Sequence, residues 1–398
     1  MCDPGGRVTP VGIQTNGWKA VPEDKHVRPG GTGGVLAIAS ARERFVACME
    51  YKPVDRVPFW SWGGWPETIA RWKKEGYDPA KGDPADAVTD KRNIVGHWFF
   101  PNPPFEHKVV SADAEHVVVV NHEGILMKEM RNNPHSSMPQ FLKFPVETRA
   151  EFRKFWKERM QPDLTRRIGP DWKKQLKELR AQPVPFIIIS DRWGGFFGPL
   201  RNLLGVEKLC MMFHDDPAFV EEMMDANADL IIAIMAQVLD VTDIDAFGFW
   251  EDMAYNHAPL ISPAMARQYM LPRYRRVVEY LRNRGVPYVG LDSDGQIHPL
   301  IPVWLDAGLN FLYPFEMQSG MDVLDVRRRY GKGLRIWGGV DKRTLAHGPA
   351  AIDAELKRLK PLMDEGGYIP HTDHSCPPDI SFSNYCYHLK RLGEVCRR

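Results

Sequence analysis

The sequence predicts an α/β protein folded as one closed (β/α)8 TIM barrel, and three observations predict it. After residue 185, short apolar runs alternate with helical periodicity at least five times, the pattern of parallel strands joined by crossover helices. Almost every one of those runs ends in an acid, and barrel enzymes place their chemistry at the carboxyl ends of their strands. No GxGxxG follows a strand, so a doubly wound open sheet, the second architecture compatible with the alternation, lacks a dinucleotide loop.

The elements follow in order. Residues 1–35 are rich in Gly, Pro and polar side chains and read as a loose extension, with the barrel over 36–398. "RVPFWSW" (56–62) reads as a first strand, followed by a helix near Glu67 to Glu75. "HVVVVNHEGILMKEM" reads as a hairpin turning at Asn121 to Gly124. Val146 to Leu179 is helical, interrupted at Pro170. "PFIIISDRW" is an apolar strand, then helices run from about Leu200 to Phe213 and Pro217 to Leu239. "AFGFWED" is the next strand, and Ser262 before Pro263 marks a helix start, an N-cap with proline in the first turn. "YVGLDSDG", "LNFLYPFE", "LRIWGGVD" and "GYIPHTDH" then alternate with helices over 299–307, 321–330 and 350–365, and a last helix covers 382–391.

With 52 basic against 51 acidic residues, the chain has no strongly basic surface for nucleic acid. No apolar run approaches the roughly 20 residues that span a bilayer, and the N-terminal stretch has no apolar signal core. Six scattered cysteines without a CxxC suggest reduced thiols in a cytoplasm.

The stretch "VGLDSDGQIHPL" (289–300) places Asp292 and Asp294 two apart at the end of a strand, so both side chains point the same way. Two aligned carboxylates require a metal, a basic side chain, a shared proton or water between them. On a barrel, the neighbouring strand ends Asp191, Arg192, Glu251, Asp252, Glu316, Asp341, Asp373 and His374 would converge on the same rim. Asp292, Asp294, His374, Glu251 and Asp252 are the catalytic candidates. Asp191 with Arg192 is either a structural ion pair or a substrate clamp. Glu316 is a further contact for substrate or metal. Trp60, Trp62 and Trp65 either line a ligand pocket or pack as core and lid.

Several segments resemble the uroporphyrinogen decarboxylase family: "YKPVDRVPFW", "ISPAMARQYMLPRYRRVVEYLRNRG", "DSDGQIHPLIPVWLDAGLNFL", "WGGVDKRTL" and "GGYIPHTDHSCPPDISFSNYCYHL". Their order covers about residues 40 to 395. The resemblance implies a (β/α)8 barrel and two chemistries, decarboxylation or methyl transfer to corrinoid proteins. The decarboxylases carry R-Q-A-G-R after the first strand to hold substrate carboxylates. This chain has "SWGGWPE" (61–67), which argues against an octa-anionic substrate. In the corrinoid-linked branch zinc is held by His-x-Cys and a closing Cys. The corresponding positions here are Asp292, Asp294 and His374, a set that suits one divalent ion, zinc or a harder metal. Cys376, two residues on, is a softer alternative ligand. No D-x-H-x-x-G segment occurs, so any corrinoid would arrive on a separate protein. The reading is a methyltransferase component acting on a small O- or N-methyl compound, with a corrinoid protein and a second copy of the chain as expected partners. The alternative is a carboxy-lyase on a smaller acid than uroporphyrinogen.

Overall fold

The computed structural model describes residues 39–131 and 139–397, so the expected extension over 1–35 lies outside the described residues. Eleven strands form two sheets: β1 Asn93–Val95, β2 Lys108–Ala112, β3 His116–Val120, β4 Leu126–Met130, β5 Gln140–Lys143, β6 Phe186–Ile189, β7 Ala246–Trp250, β8 Tyr288–Asp292, β9 Phe311–Tyr313, β10 Arg335–Trp337 and β11 Tyr368–Ile369. Seven of them make one curled, wholly parallel sheet in the order β1-β6-β7-β8-β9-β10-β11.

Both faces of this sheet are covered, which is why its strands read as continuous apolar runs. Alternate residues divide between the faces. Ile187, Ala246, Tyr288, Phe311, Trp337 and Ile369 pack together with Phe45 and Trp60. Phe186, Ile188, Phe247, Val289, Leu291, Leu312 and Ile336 join the larger core shared with the helices.

The expected first strand over 56–62 does not form as a regular strand. Its neighbours bond it at both sides: Trp60 N–H donates to Pro370 O just past β11 (3.2 Å), and Phe59 O accepts from Asp90 N–H just before β1 (3.1 Å). Pro58 withholds a donor within this stretch, which limits a ladder. The segment thus touches both edges of the seven-stranded sheet.

The helices arise where their signals lie. Ser262 accepts from Met265 N–H and starts the helical run that includes Leu271–Asn283. The helix expected over 200–213 is two, Phe197–Leu204 and Val206–Asp215, because Gly205 between them takes φ 83°. The helix Pro217–Leu239 forms as read, and so does the hairpin of β3 and β4. That hairpin belongs to a second, four-stranded antiparallel sheet, β2-β3-β4-β5, whose outer strands and the short β1 escaped the sequence reading. No helix among the described residues is long and apolar enough to cross a membrane.

Candidate active site

Asp292 ends β8 on the same face as Tyr288, opposite Trp250 of β7 and Tyr313 of β9. Asp294 lies beyond it in a bend. Two neighbouring strand ends bring further acids. Asp252 takes φ 46°, and Phe315, before Glu316, takes φ 63°. Non-glycine residues rarely hold that conformation, and such outliers concentrate at functional sites. Arg201 holds Asp252 at 2.9 Å, and Glu316 accepts from Gly295 N–H at 3.0 Å. Asp294, Gly295 and Glu316 line a cleft of about 370 Å³ with Ala254, Tyr255, Asn256, Gln318 and Ser319.

Neither the Asp292 nor the Asp294 carboxylate accepts a hydrogen bond from a described residue. Burial, reinforced by the charges of Asp252 and Glu316, pushes Asp292 up to about 8. Burial and the charge of Asp292 raise Asp294 well above the carboxylate range, with Asp252 and Glu316 adding to the effect. The positive group in this neighbourhood is Lys342, a buried ammonium 3.6 Å from Glu316 and 3.5 Å from Asp373. Asp373 also accepts from the backbone N–H groups of Met317 and Lys342, which ties the ends of β9, β10 and β11 together. His374 Nε2 stands 3.6 Å from Asp294 Oδ2. Burial, then the charge of Lys342, lower the affinity of His374 for a proton, so its imidazole is neutral at pH 7.

Among the described residues, no three His, Cys, Asp or Glu side chains are grouped so as to hold a metal ion. Asp292, Asp294 and His374 are neighbours without being grouped in that way, and the cations near the rim acids are Lys342, beside Glu316 and Asp373, and Arg201, beside Asp252. Cys376, the softer alternative, is buried two residues beyond His374. Burial raises its thiol to about 12, and its backbone is engaged with Gly63, Trp65 and Thr68.

Several predicted rim residues are turned elsewhere. The Glu251 carboxylate is fully buried and accepts from the N–H groups of Phe196, Phe197 and Gly198 and from Tyr274 Oη. It anchors the N-terminus of helix Phe197–Leu204, where an anion is favoured. Glycine is required against it: a Cβ on Gly195 would meet Trp250 O at 2.0 Å, and one on Gly198 would meet Glu251 O at 2.8 Å. Glu251 is therefore a structural acid, not the catalytic one expected. Asp191 accepts from Phe99, Phe100 and Trp193 N–H and does not pair with Arg192. Arg192 instead faces Glu123 at 3.6 Å and bonds Asn202, so the expected pairing of Asp191 with Arg192 does not form. Asp341 caps helix Lys342–Ala346 and pairs with Arg343.

The three tryptophans divide. Trp60 is buried and packs edge-on to Trp337 at 5.1 Å. Trp62 donates to His371, and Trp65 is exposed with its ring 5.8 Å from His374. Of the three, Trp60 is core, Trp62 is half-buried and Trp65 is exposed. Sequence reasoning missed Lys342, Arg92, His371 and Tyr313. Tyr313 carries a buried hydroxyl without a hydrogen-bond partner among the described residues, and Asp292 acts on it electrostatically. Its position on the Asp292 face of the neighbouring strand was the available signal. Arg92 lies with its guanidinium 4.9 Å from the Trp60 ring centre and 5.4 Å from that of Trp62.

The chain matches the uroporphyrinogen decarboxylase family over residues 194–392. It belongs to that family. Among curated relatives it is 27% identical over 190 residues to a uroporphyrinogen decarboxylase of Nocardia farcinica, covering 44% of this chain and 48% of the relative. It is 26% identical over 206 residues to one of Rhodococcus erythropolis, covering 49% and 52%. The matches thus span about half the length of these relatives. In structure the chain is similar to a methyltransferase from Methanosarcina mazei, with a TM-score of 0.60 and 16% identity over 89% of this chain and 98% of that one. That likeness establishes a shared fold. The acid rim lies inside the family match, whereas Trp60, Trp62, Trp65 and Arg92 lie outside it.

Proposed function

We propose that this protein is a methyltransferase that demethylates a small O- or N-methyl compound, with the Asp292–Asp294 pair as proton donor. One observation carries the reading: two neighbouring carboxyls at the end of β8 accept no hydrogen bond from the described residues, and burial with the facing acids raises both above the usual carboxylate range, Asp292 to about 8. A general acid works best when its pKa lies near the operating pH. In the reaction, the bond between methyl and oxygen or nitrogen breaks, and its electron pair stays with the leaving atom. The proton of the Asp292–Asp294 pair passes to that atom, while the methyl group goes to a nucleophilic acceptor. The acceptor suggested by the family resemblance is a reduced corrinoid on a separate protein, which would supply the attacking electron pair. Lys342 offsets the negative charge left on the rim through Glu316 and Asp373. The Tyr313 hydroxyl, free to donate beside Asp292, orients the leaving atom. No step requires a bound metal. We read the segment 57–61, bonded to both edges of the sheet, as the stave that completes a (β/α)8 barrel around this site.

A second reading is a carboxy-lyase, favoured by the relatives from Nocardia and Rhodococcus. The same carboxyl pair could then protonate the carbon from which carbon dioxide departs. A carboxylate brought against the acid rim meets like charge, which ranks this reading second. The test supplies the protein with reduced cobalamin and a series of methoxylated aromatics and methylamines. Demethylated product is followed by mass spectrometry, and carbon dioxide release from matching acids in parallel. Demethylation is expected. Carbon dioxide release without demethylation would assign the lyase instead.

A further inference from the structure

Among the described residues, the other buried or half-buried arginines are held by acids or by two or more backbone carbonyls. Arg44 pairs with Asp55 and Asp90, Arg273 with Asp225, and Arg327 with Glu365. Arg167 donates to the carbonyls of Trp98, Phe100 and Gln161. Arg92 differs. It is half-buried between the rings of Trp60 and Trp62, and its one hydrogen bond among the described residues runs from Nη2 to Ser61 O at 3.0 Å. A guanidinium carries five N–H donors in a planar fork that fits a carboxylate. Of the two acids whose charge reaches it, Asp90 is already taken by Arg44 and Arg56, and the exposed Asp86 makes no ion pair with it. The other ring close to Trp62 is His371, which burial, and then Arg92, keep neutral, so it supplies no competing charge.

The position connects this cation with the acid rim. Trp62 bonds His371, and His371 precedes by three residues His374, the neighbour of Asp294. Arg92 thus lies beside Trp62, whose partner His371 shares a segment with His374. We infer that Arg92, stacked between Trp60 and Trp62, binds the carboxylate of the substrate, and that the methyl donor is a small monocarboxylate. One unpaired guanidinium neutralises one carboxylate, which separates this substrate class from a polycarboxylate. The identity of the donor rests on the methyltransferase reading; the carboxylate subsite does not.

The experiment uses benzoate and benzamide, which share a ring and differ in charge, and neither carries a methyl group. Calorimetric titration of the full chain should show benzoate binding about 10–100-fold tighter than benzamide, the range expected for a charge-assisted hydrogen-bonded contact. Arg92→Met should lose that preference while benzamide affinity stays the same, and Arg92→Lys should keep part of it. If Arg92→Met does not fold, the wild-type comparison and Arg92→Lys decide. Benzoate binding no tighter than benzamide, or undiminished benzoate affinity in folded Arg92→Met, would overturn the inference. Benzoate selectivity without demethylation of 4-methoxybenzoate would leave the subsite standing and remove the methyltransferase reading.

Discussion

The ends of β7 and β8 are adjacent, and each carries an acid, yet the two acids have opposite surroundings. Glu251 receives three backbone N–H groups and a tyrosine hydroxyl. Asp292 receives none among the described residues and faces Asp294, Asp252 and Glu316 instead. The first acid holds a helix in place. Burial raises both, Glu251 to about 7 and Asp292 to about 8, but only Asp292 is pushed further by neighbouring acids. A strand-end acid is therefore functional or structural according to what meets it, and that difference yields measurable contrasts.

The largest expected effect is on catalysis. Asp292→Asn should lower turnover by about 10²–10⁴-fold, the usual worth of a general acid, with thermal stability equal to or above the parent because repulsion is relieved. Turnover and melting measured on one preparation check it. A melting point far below the parent would make Asp292 a structural acid like Glu251.

Glu251→Ala should do the reverse in origin. It leaves three N–H groups and Tyr274 Oη without their buried acceptor and should cost roughly 3–5 kcal/mol in denaturant unfolding. Parent-like unfolding would erase the contrast between the two strand ends.

Lys342→Met removes the ammonium beside Glu316 and Asp373 and should cost about 1–3 kcal/mol of stability. It should also move the limb of the pH–rate profile assigned to the acid pair to higher pH, because a cation that favours the ionised form is gone. An unmoved profile would place Lys342 outside the electrostatics of the site.

The smallest effect is a pH slope. Asp292 has a folded-state pKa raised to about 8, above its unfolded value. Its contribution to stability is complete below the unfolded pKa and is lost as pH rises through the folded one. Melting temperature should therefore fall by a few degrees between pH 6 and pH 9, and less in Asp292→Asn. Equal slopes in the two proteins would show that Asp292 does not retain its proton.

The alternation of apolar runs and helices was legible because a sheet covered on both faces leaves a continuous hydrophobic signature, and Ser262 with Pro263 announced its helix by local hydrogen bonding alone. That Asp292 and Asp294 lie together was legible from their spacing of two, although Asp294 stands beyond the end of the strand. The segment 56–62 misled because its composition suits a strand while Pro58 withholds a donor from the ladder. Glu251 read like Asp292 because both are acids at strand ends. Only the tertiary structure set Glu251 against a helix N-terminus, and only it brought Lys342 to Glu316 and Asp373 and Arg92 between Trp60 and Trp62. By itself the sequence determined the elements, the acids at their ends and the family pattern, since those depend on neighbours a few residues apart. The charges that complement those acids come from residues far away along the chain, and burial, which decides whether an acid keeps its proton, exists only after the sheet has curled.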